Sequence, residues 1–430
     1  MNEPTSSLSL AAAAASHGRD LALRRGTECF SFEEWSSRVQ KATGSLPDGA
    51  FGIVARNDWA SLALLYACLE ERRPAVLLHA RWDTAARLEA CRRAGAGYLY
   101  DDGNWLPVND TADAGPLEQF TIATSGSTGV PKLASLSASS FAAGCEASSR
   151  RVPLAPNDSW ALSLSWAHVG GLAILLRCLQ ARATVHIPEV PGVLPSSCTH
   201  ASVVPTQLSR LIRRHQLPQG LKHLLVGGAP LSRRLHEQAI EQGVPFHVTY
   251  GLTEFGSQVA TSSLRPAWGA PLAFLDGVQA RIDANGTLEL RGPTAMSRYI
   301  GAPPLGTDWF RTSDRSELSA GGVRILGRHD NVIITGGENV SPELVEAALC
   351  DEAGIEDAAV IGIPDDDWGQ RVVALLRVTE PAVDDSELRM ALARVLPRFA
   401  IPKSFLHVAS LPTLPNGKLD RTALLKTYSC

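Results

Sequence analysis

Short apolar runs alternate with stretches of helical character along the first half of the chain. Phe51-Gly52-Ile53-Val54-Ala55 and Pro74-Ala75-Val76-Leu77-Leu78 read as buried strands, with a helix around Ser61 to Glu70 between them. Ala85 to Ala94 reads as a further helix and Gly97-Tyr98-Leu99-Tyr100 as a further strand. Upstream, Leu21 to Arg24 and Glu28 to Phe32 form a hairpin pattern around Gly26, and Ser31-Phe32-Glu33-Glu34 fits a capping box that starts a helix toward Thr43. Gly103 to Glu118 is polar and turn-rich, and Phe120 to Ala123 is a short buried strand. Asp158 to Leu164 (strand), Gly170 to Leu179 (helix), and the strands Thr184 to Ile187, Ala201 to Val204 and Leu224 to Val226 continue the alternation. It predicts parallel α/β layers.

The period changes after residue 276. Apolar residues alternate with polar ones around Asn285-Gly286, a hairpin signal that predicts a smaller β subdomain. Leu326 to Ile334 is the expected domain boundary. Beyond it come a helix at Pro342 to Cys350, strands at Ala358 to Ile363 and Val372 to Val378, a helix at Asp385 to Leu396, and a last segment at Arg421 to Thr427. The expected fold class is α/β: residues 1–329 as layered α/β sheets plus a β subdomain, then residues 330–430 as a small α+β domain, a reasonable independent size.

Composition changes this picture little. The 430 residues are 45% hydrophobic and 20% charged, with a formal net charge of −4, so no global basic field points to nucleic acid. Arg210, Arg213 and Arg214 cluster, as a solvated helix face or a binding patch would. None of the eight cysteines forms a C-x-x-C pair, so neither a zinc site nor a disulfide framework is expected, which fits a reducing cytoplasm. The alanine-rich start carries Glu3 rather than a basic leader and reads as a first helix. Val169 to Leu179 is too short to span a bilayer and contains Arg177.

The chemistry centres on Thr124-Ser125-Gly126-Ser127-Thr128-Gly129-Val130-Pro131-Lys132. Glycines let a backbone turn tightly and present several N–H groups to one anion, hydroxyls add donors, and Lys132 adds a point charge. The order differs from the Walker loop, because Pro131 precedes the lysine and Leu133 follows it. Tyr250-Gly251-Leu252-Thr253-Glu254 offers a ring to stack on a base, a hydroxyl for phosphate or acyl oxygen, and a carboxylate for Mg²⁺. Further downstream lie Phe310-Arg311-Thr312-Ser313-Asp314, Gly327-Arg328-His329-Asp330-Asn331, Gly336-Gly337-Glu338-Asn339 and Pro415-Asn416-Gly417-Lys418.

These motifs, in this order, resemble those of the adenylate-forming enzymes, which include acyl-CoA synthetases, adenylation domains and luciferases. The resemblance covers nearly the whole chain. Ser313 departs from it, standing where glycine is usual. The resemblance implies a large N-terminal domain and a mobile C-terminal one, with ATP, Mg²⁺ and coenzyme A as cofactor and co-substrates of a carboxylic acid. It implies that Thr124 to Gly129 and Lys132 hold phosphates, that Gly228 and Ala229 lie against adenine beside Tyr250 and Gly251, and that Thr253 and Glu254 act at the phosphates and metal. It further implies that Asp314 binds ribose, that Arg328 approaches the nucleotide, and that Asp330 is the pivot. Gly336 and Gly337 would flank the pantetheine channel, and Lys418 would contact the carboxylate and α-phosphate.

Trp166-Ala167-His168-Val169-Gly170-Gly171 fits a segment in which His168 lines the acyl pocket. No aspartate that could hold a substrate amine stands there. The Gly-Gly-Glu-Asn-Val-Ser-Pro run resembles acid–CoA ligases rather than carrier-loading domains. Several stretches, among them Thr199 to Leu208, resemble ligases whose acid carries a second carboxylate. Arg210, His200, Ser202 and Thr206 are the candidate partners for it. A ligase for another aromatic or short-chain acid, and a carrier-loading domain, are the alternative readings. Nucleic acid and stable membrane insertion are not expected, and a homo-oligomer stays open.

Overall fold

In the computed structural model, residues 7–124, 131–379, 384–413 and 419–428 are described. Two large sheets carry the first three quarters of the chain. One has seven strands, in the order Arg298–Tyr299, Leu133–Leu136, Phe120–Ala123, Ala75–His79, Phe51–Ala55, Tyr98–Asp101 and Asn104–Pro107. Its central strands are parallel. The other has nine, with Phe246–Leu252, His223–Gly227, His200–Val203, Ser159–Ala161 and Thr184–His186 running parallel at its centre. Burial of whole strands such as Phe51–Ala55 and Ala75–His79 explains their continuous apolar runs. A core containing Trp35, Phe51, Phe120, Phe141, Trp160 and Trp166 joins the two sheets.

The capping box at Ser31 is present. Glu34 N donates to Ser31 Oγ, Glu34 Oε2 accepts from Ser31 N, and the helix runs Phe32–Thr43. Other expectations are corrected. Within the turn-rich Gly103 to Glu118, Asn104–Pro107 is a strand, reached through a tight turn in which Asp102 and Gly103 both have positive φ. The strand expected over Asp158 to Leu164 is only Ser159–Ala161, because Asp158 turns its carboxylate to Ala155 N and Lys222. The helix from Asp385 ends at Leu392 rather than Leu396. Leu133–Leu136 and the helix Ala138–Arg151, capped by Ser137, carry no strong periodic signal and emerge only in the fold.

Gln279–Ile282, Thr287–Arg291, Phe310–Ser319 and Gly322–Arg328 form a four-stranded antiparallel sheet. From Ile333 a separate five-stranded sheet begins, packed on the helices Pro342–Asp351 and Arg421–Tyr428. This last unit is fastened to the first. Arg234 N donates to Asp351 Oδ1 at 2.7 Å, Arg234 Nη1 donates to Glu352 O at 2.8 Å, and Arg213 pairs with Glu356. No helix among the described residues is long and apolar enough to cross a membrane.

Arg421 anchors the terminal helix. Its guanidinium donates to both Glu346 oxygens at 2.7 and 2.8 Å and to Val360 O at 2.8 Å. Glu346 is 12% exposed, and its burial raises its pKa against the pull of Arg421. Arg421→Met strands a buried carboxylate and is expected to cost about 3 kcal/mol. Urea unfolding measures this, and a change below about 0.5 kcal/mol, the scatter of ordinary surface substitutions, would refute it.

Candidate active site

The carboxyl ends of the parallel strands of both large sheets converge on one cavity of about 790 Å³. From the nine-stranded sheet come Leu162 to Ser165, Ser202 to Val204, Gly227, Gly228, Thr249 and Gly251 to Thr253. From the seven-stranded sheet come Ala55 to Asn57, His79 to Arg81 and Ala123. The mouth of parallel strands is where open α/β sheets bind ligands, since loops and helix starts gather there. Gly251 is required by close approach: a Cβ there would stand 1.9 Å from Ser257 O of the paired strand. Thr413 of the C-terminal unit completes the wall and pairs with Leu419.

The wall has one sign of charge. Arg56, Arg81, Arg177 and Arg210 line it with His79 and His168, and no aspartate or glutamate does so among the described residues. Arg56 is compensated by Asp101 at 2.8 Å, which also accepts from Arg87. Arg177 is not compensated. It is 6% exposed on the helix Val169–Ala181, its guanidinium carbon lies 5.5 Å from the Trp160 ring centre, and its Nε has no hydrogen-bond partner. Among the described residues it makes no ion pair, and burial lowers its pKa. His79 Nδ1 accepts from Arg81 N at 3.0 Å, so the proton sits on Nε2. Burial, with Arg81 and Arg87 adding to it, pushes this ring down to about 4, so it is neutral at pH 7. The His168 ring lies 5.2 Å from it.

Of the expected acid-site residues, His168, Thr206, Arg210 and Ser202 are on this wall. His200 is not. It is fully buried, bonds to Pro153 O at 2.8 Å, and has its ring tilted against those of Trp160 and His223. It begins the strand His200–Val203, at the end away from the cavity, whereas Ser202 stands near the carboxyl end that meets it. Arg177 escaped the sequence reading. Its signal was a single charge inside the apolar run of Val169–Ala181, noticed only as an interruption.

Two polar clusters flank the cavity. In one, Tyr250 donates its phenolic O–H to Asp314 Oδ2 at 2.5 Å. Asp314 lies opposite Arg328 in the antiparallel pair, with 3.7 Å between them, and Arg328 forms a two-pronged pair with Asp330 at 2.8 and 2.6 Å. Burial, then the Asp314 charge, holds the Tyr250 phenol well above its ordinary range, so it stays a donor. In the other cluster Glu254 accepts from the Tyr299 hydroxyl, while Lys132 Nζ lies 5.1 Å from the same ring's centre. Thr124 N donates to Lys132 O at 2.8 Å. Ser125, Gly126, Ser127, Thr128, Gly129 and Lys418 lie outside the described residues. Gly228 and Gly251 are on the wall, whereas Ala229 is exposed beyond it. Gly336 and Gly337, with φ of +59° and +83°, make the hairpin turn between Ile333–Thr335 and Glu338–Val340, off the cavity wall.

Sequence comparison agrees with this geometry. Residues 118–300 match the AMP-binding enzyme model and residues 344–418 match the AMP-binding enzyme C-terminal domain. The chain belongs to the AMP-binding enzyme family. Within it, its relatives include the 2-succinylbenzoate–CoA ligase of Salmonella typhimurium, 37% identical over 70% of this chain and 67% of that protein. A probable 2-succinylbenzoate–CoA ligase of Mycobacterium tuberculosis is 34% identical over 72% and 84%. The structure of an E. coli MenE variant with bound OSB-AMS superimposes with a TM-score of 0.85, covering 97% of each chain at 27% identity.

An uncompensated buried charge lowers stability unless a ligand pairs with it. Arg177→Met is therefore expected to raise the stability of the free protein by about 1 kcal/mol or more. Denaturant unfolding without ligand checks this, and a clear loss of stability would contradict it.

Proposed function

We propose that this protein is an ATP-dependent 2-succinylbenzoate–CoA ligase of menaquinone biosynthesis. The observation that carries the reading is the buried Arg177 guanidinium, which faces a cavity lined by further arginines and histidines and has no counter-charge among the described residues. Such a wall favours an acid with a second carboxylate and disfavours one bearing an ammonium group. Family membership and the 2-succinylbenzoate–CoA ligase relatives support the same substrate.

The acid's carboxylate attacks the α-phosphorus of ATP, forming an acyl-adenylate and releasing pyrophosphate. The thiol of coenzyme A then attacks the acyl carbonyl, loses its proton, and AMP leaves. Arg177 holds the second carboxylate, with Thr206, Arg210 and His168 around the remainder of the acid. Lys132 and the 124–129 loop hold the phosphates, Thr253 assists at the reacting oxygens, and Asp314 binds the ribose with Tyr250, Gly228 and Ala229 near the base. Lys418 stabilises the charge that develops between carboxylate and α-phosphate.

Among the described residues no group of three or more histidines, cysteines, aspartates or glutamates gathers into a metal cage. A single carboxylate at Glu254 suits Mg²⁺, which takes most of its ligands from phosphates and water. When bound, Mg²⁺ neutralises phosphate charge. We further propose that residues 1–329 and 330–430 act as two domains pivoting at Asp330, with Gly336 and Gly337 meeting pantetheine after rotation. The cytoplasm is the proposed compartment, in keeping with the free thiols among the described cysteines.

Pyrophosphate release across a panel of aryl acids tests the substrate. The reading requires turnover of 2-succinylbenzoate, and activity confined to simple benzoates would sink it. Arg177→Met should raise KM for 2-succinylbenzoate at least about thirtyfold, as losing a buried charge partner does, with KM for ATP unchanged. Lys418→Ala should abolish adenylation yet leave thioester formation from preformed acyl-adenylate largely intact. Equal loss in both steps would remove Lys418 from its role.

A further inference from the structure

Tyr299 touches both charged groups of the phosphate side, and neither the motif pattern nor the reaction scheme assigns it a part. It sits on the two-residue strand Arg298–Tyr299, paired antiparallel with Leu133–Leu136, which begins directly after Lys132. Ser297 N donates to Ser135 O at 2.9 Å and Ile300 N to Leu133 O at 2.8 Å, tying this segment to the Lys132 strand. Met296 N donates to Glu254 O at 2.7 Å, tying the same segment to the acidic residue. The side chain repeats the bridge. Its hydroxyl donates to Glu254 Oε1, and the Lys132 ammonium lies over its ring.

A lysine and a glutamate facing one small site attract each other, and a direct pair would have to break before phosphate and a cation could enter. Here a neutral phenol contacts both of them. It satisfies one oxygen of Glu254, and among the described residues no hydrogen bond claims the second. Its ring face holds Lys132 without cancelling its charge. We propose that Tyr299 is a positioning residue that keeps Lys132 and Glu254 apart and unneutralised, ready for the phosphates and Mg²⁺ of ATP. The inference rests on the ATP-dependent reading above and adds to it a residue that prepares the nucleotide site.

Calorimetric titration of ATP, with and without Mg²⁺, into the wild type, Tyr299→Phe and Tyr299→Leu tests it. Phenylalanine keeps the ring face and loses the hydroxyl. Tyr299→Phe should weaken ATP binding in Mg²⁺ about tenfold, as expected for a lost hydrogen bond to a charged group. Without Mg²⁺ its ATP binding should stay within about twofold of wild type, because the cation–π contact survives. Tyr299→Leu should weaken binding under both conditions. Thioester formation from preformed acyl-adenylate should be unchanged in both variants, since it uses neither the leaving phosphates nor their cation. Wild-type Mg²⁺-dependent binding by Tyr299→Phe would overturn the inference, and so would parallel loss of both half-reactions. Tyr299→Phe alone decides the matter if the leucine variant does not fold. Failure of the wild type to bind ATP or release pyrophosphate would instead overturn the functional reading.

Discussion

Parallel strands cannot be joined by tight hairpins, so each must be followed by a crossover that leaves from its carboxyl end. This constraint organises the molecule. Two sheets with parallel centres present their carboxyl edges to each other, and their loops and helix starts form one cavity wall. Val203 leads into Thr206, Ala161 into Ser163 and Ser165, and Ala55 into Arg56 for the same topological reason. The sharp exit at the end of Phe246–Leu252 puts Gly251 and Thr253 on the wall, with Tyr250 and Glu254 in the clusters on either side.

Charge is then distributed by function rather than by stability. Arg56 near the cavity and Arg421 in the C-terminal unit have carboxylates, so their burial is offset. Arg177 has none among the described residues, and its desolvation is left standing in the free protein. Active sites commonly retain such groups at a cost in stability because a ligand supplies the missing charge. Asp314 is treated differently: Tyr250, Arg328 and Asp330 form a continuous hydrogen-bonded and ionic chain that holds its carboxylate in place. That chain runs to the junction with the C-terminal sheet, so the Asp314 carboxylate and the junction share one network.

Much of this was legible in the chain. The strands Phe51–Ala55 and Phe120–Ala123, the capping box at Ser31 and the hairpin at Gly286 declare themselves through local pattern, because burial and turn chemistry there are properties of a few neighbouring residues. The short strands Asn104–Pro107 and Ser404–His407 do not. Each is held by a partner strand, and four residues carry too little periodicity of their own. His200 and Arg177 illustrate the same limit at the site. A run containing His200 names a segment, but the position along the folded strand decides which of its side chains meets the cavity, and Ser202 near the carboxyl end does so rather than His200 at the start.

The sequence by itself determined the alternation of elements, the ordered motifs and hence the family, because each is written in contiguous residues. The tertiary structure alone decided which charges have partners. Arg177 was one arginine in an apolar helix until packing buried it with no carboxylate partner among the described residues. Tyr299 was an ordinary strand residue until the fold brought it against both Lys132 and Glu254. Both depend on contacts between residues far apart in the chain, and no local pattern encodes the distance between two side chains that only the folded backbone brings together.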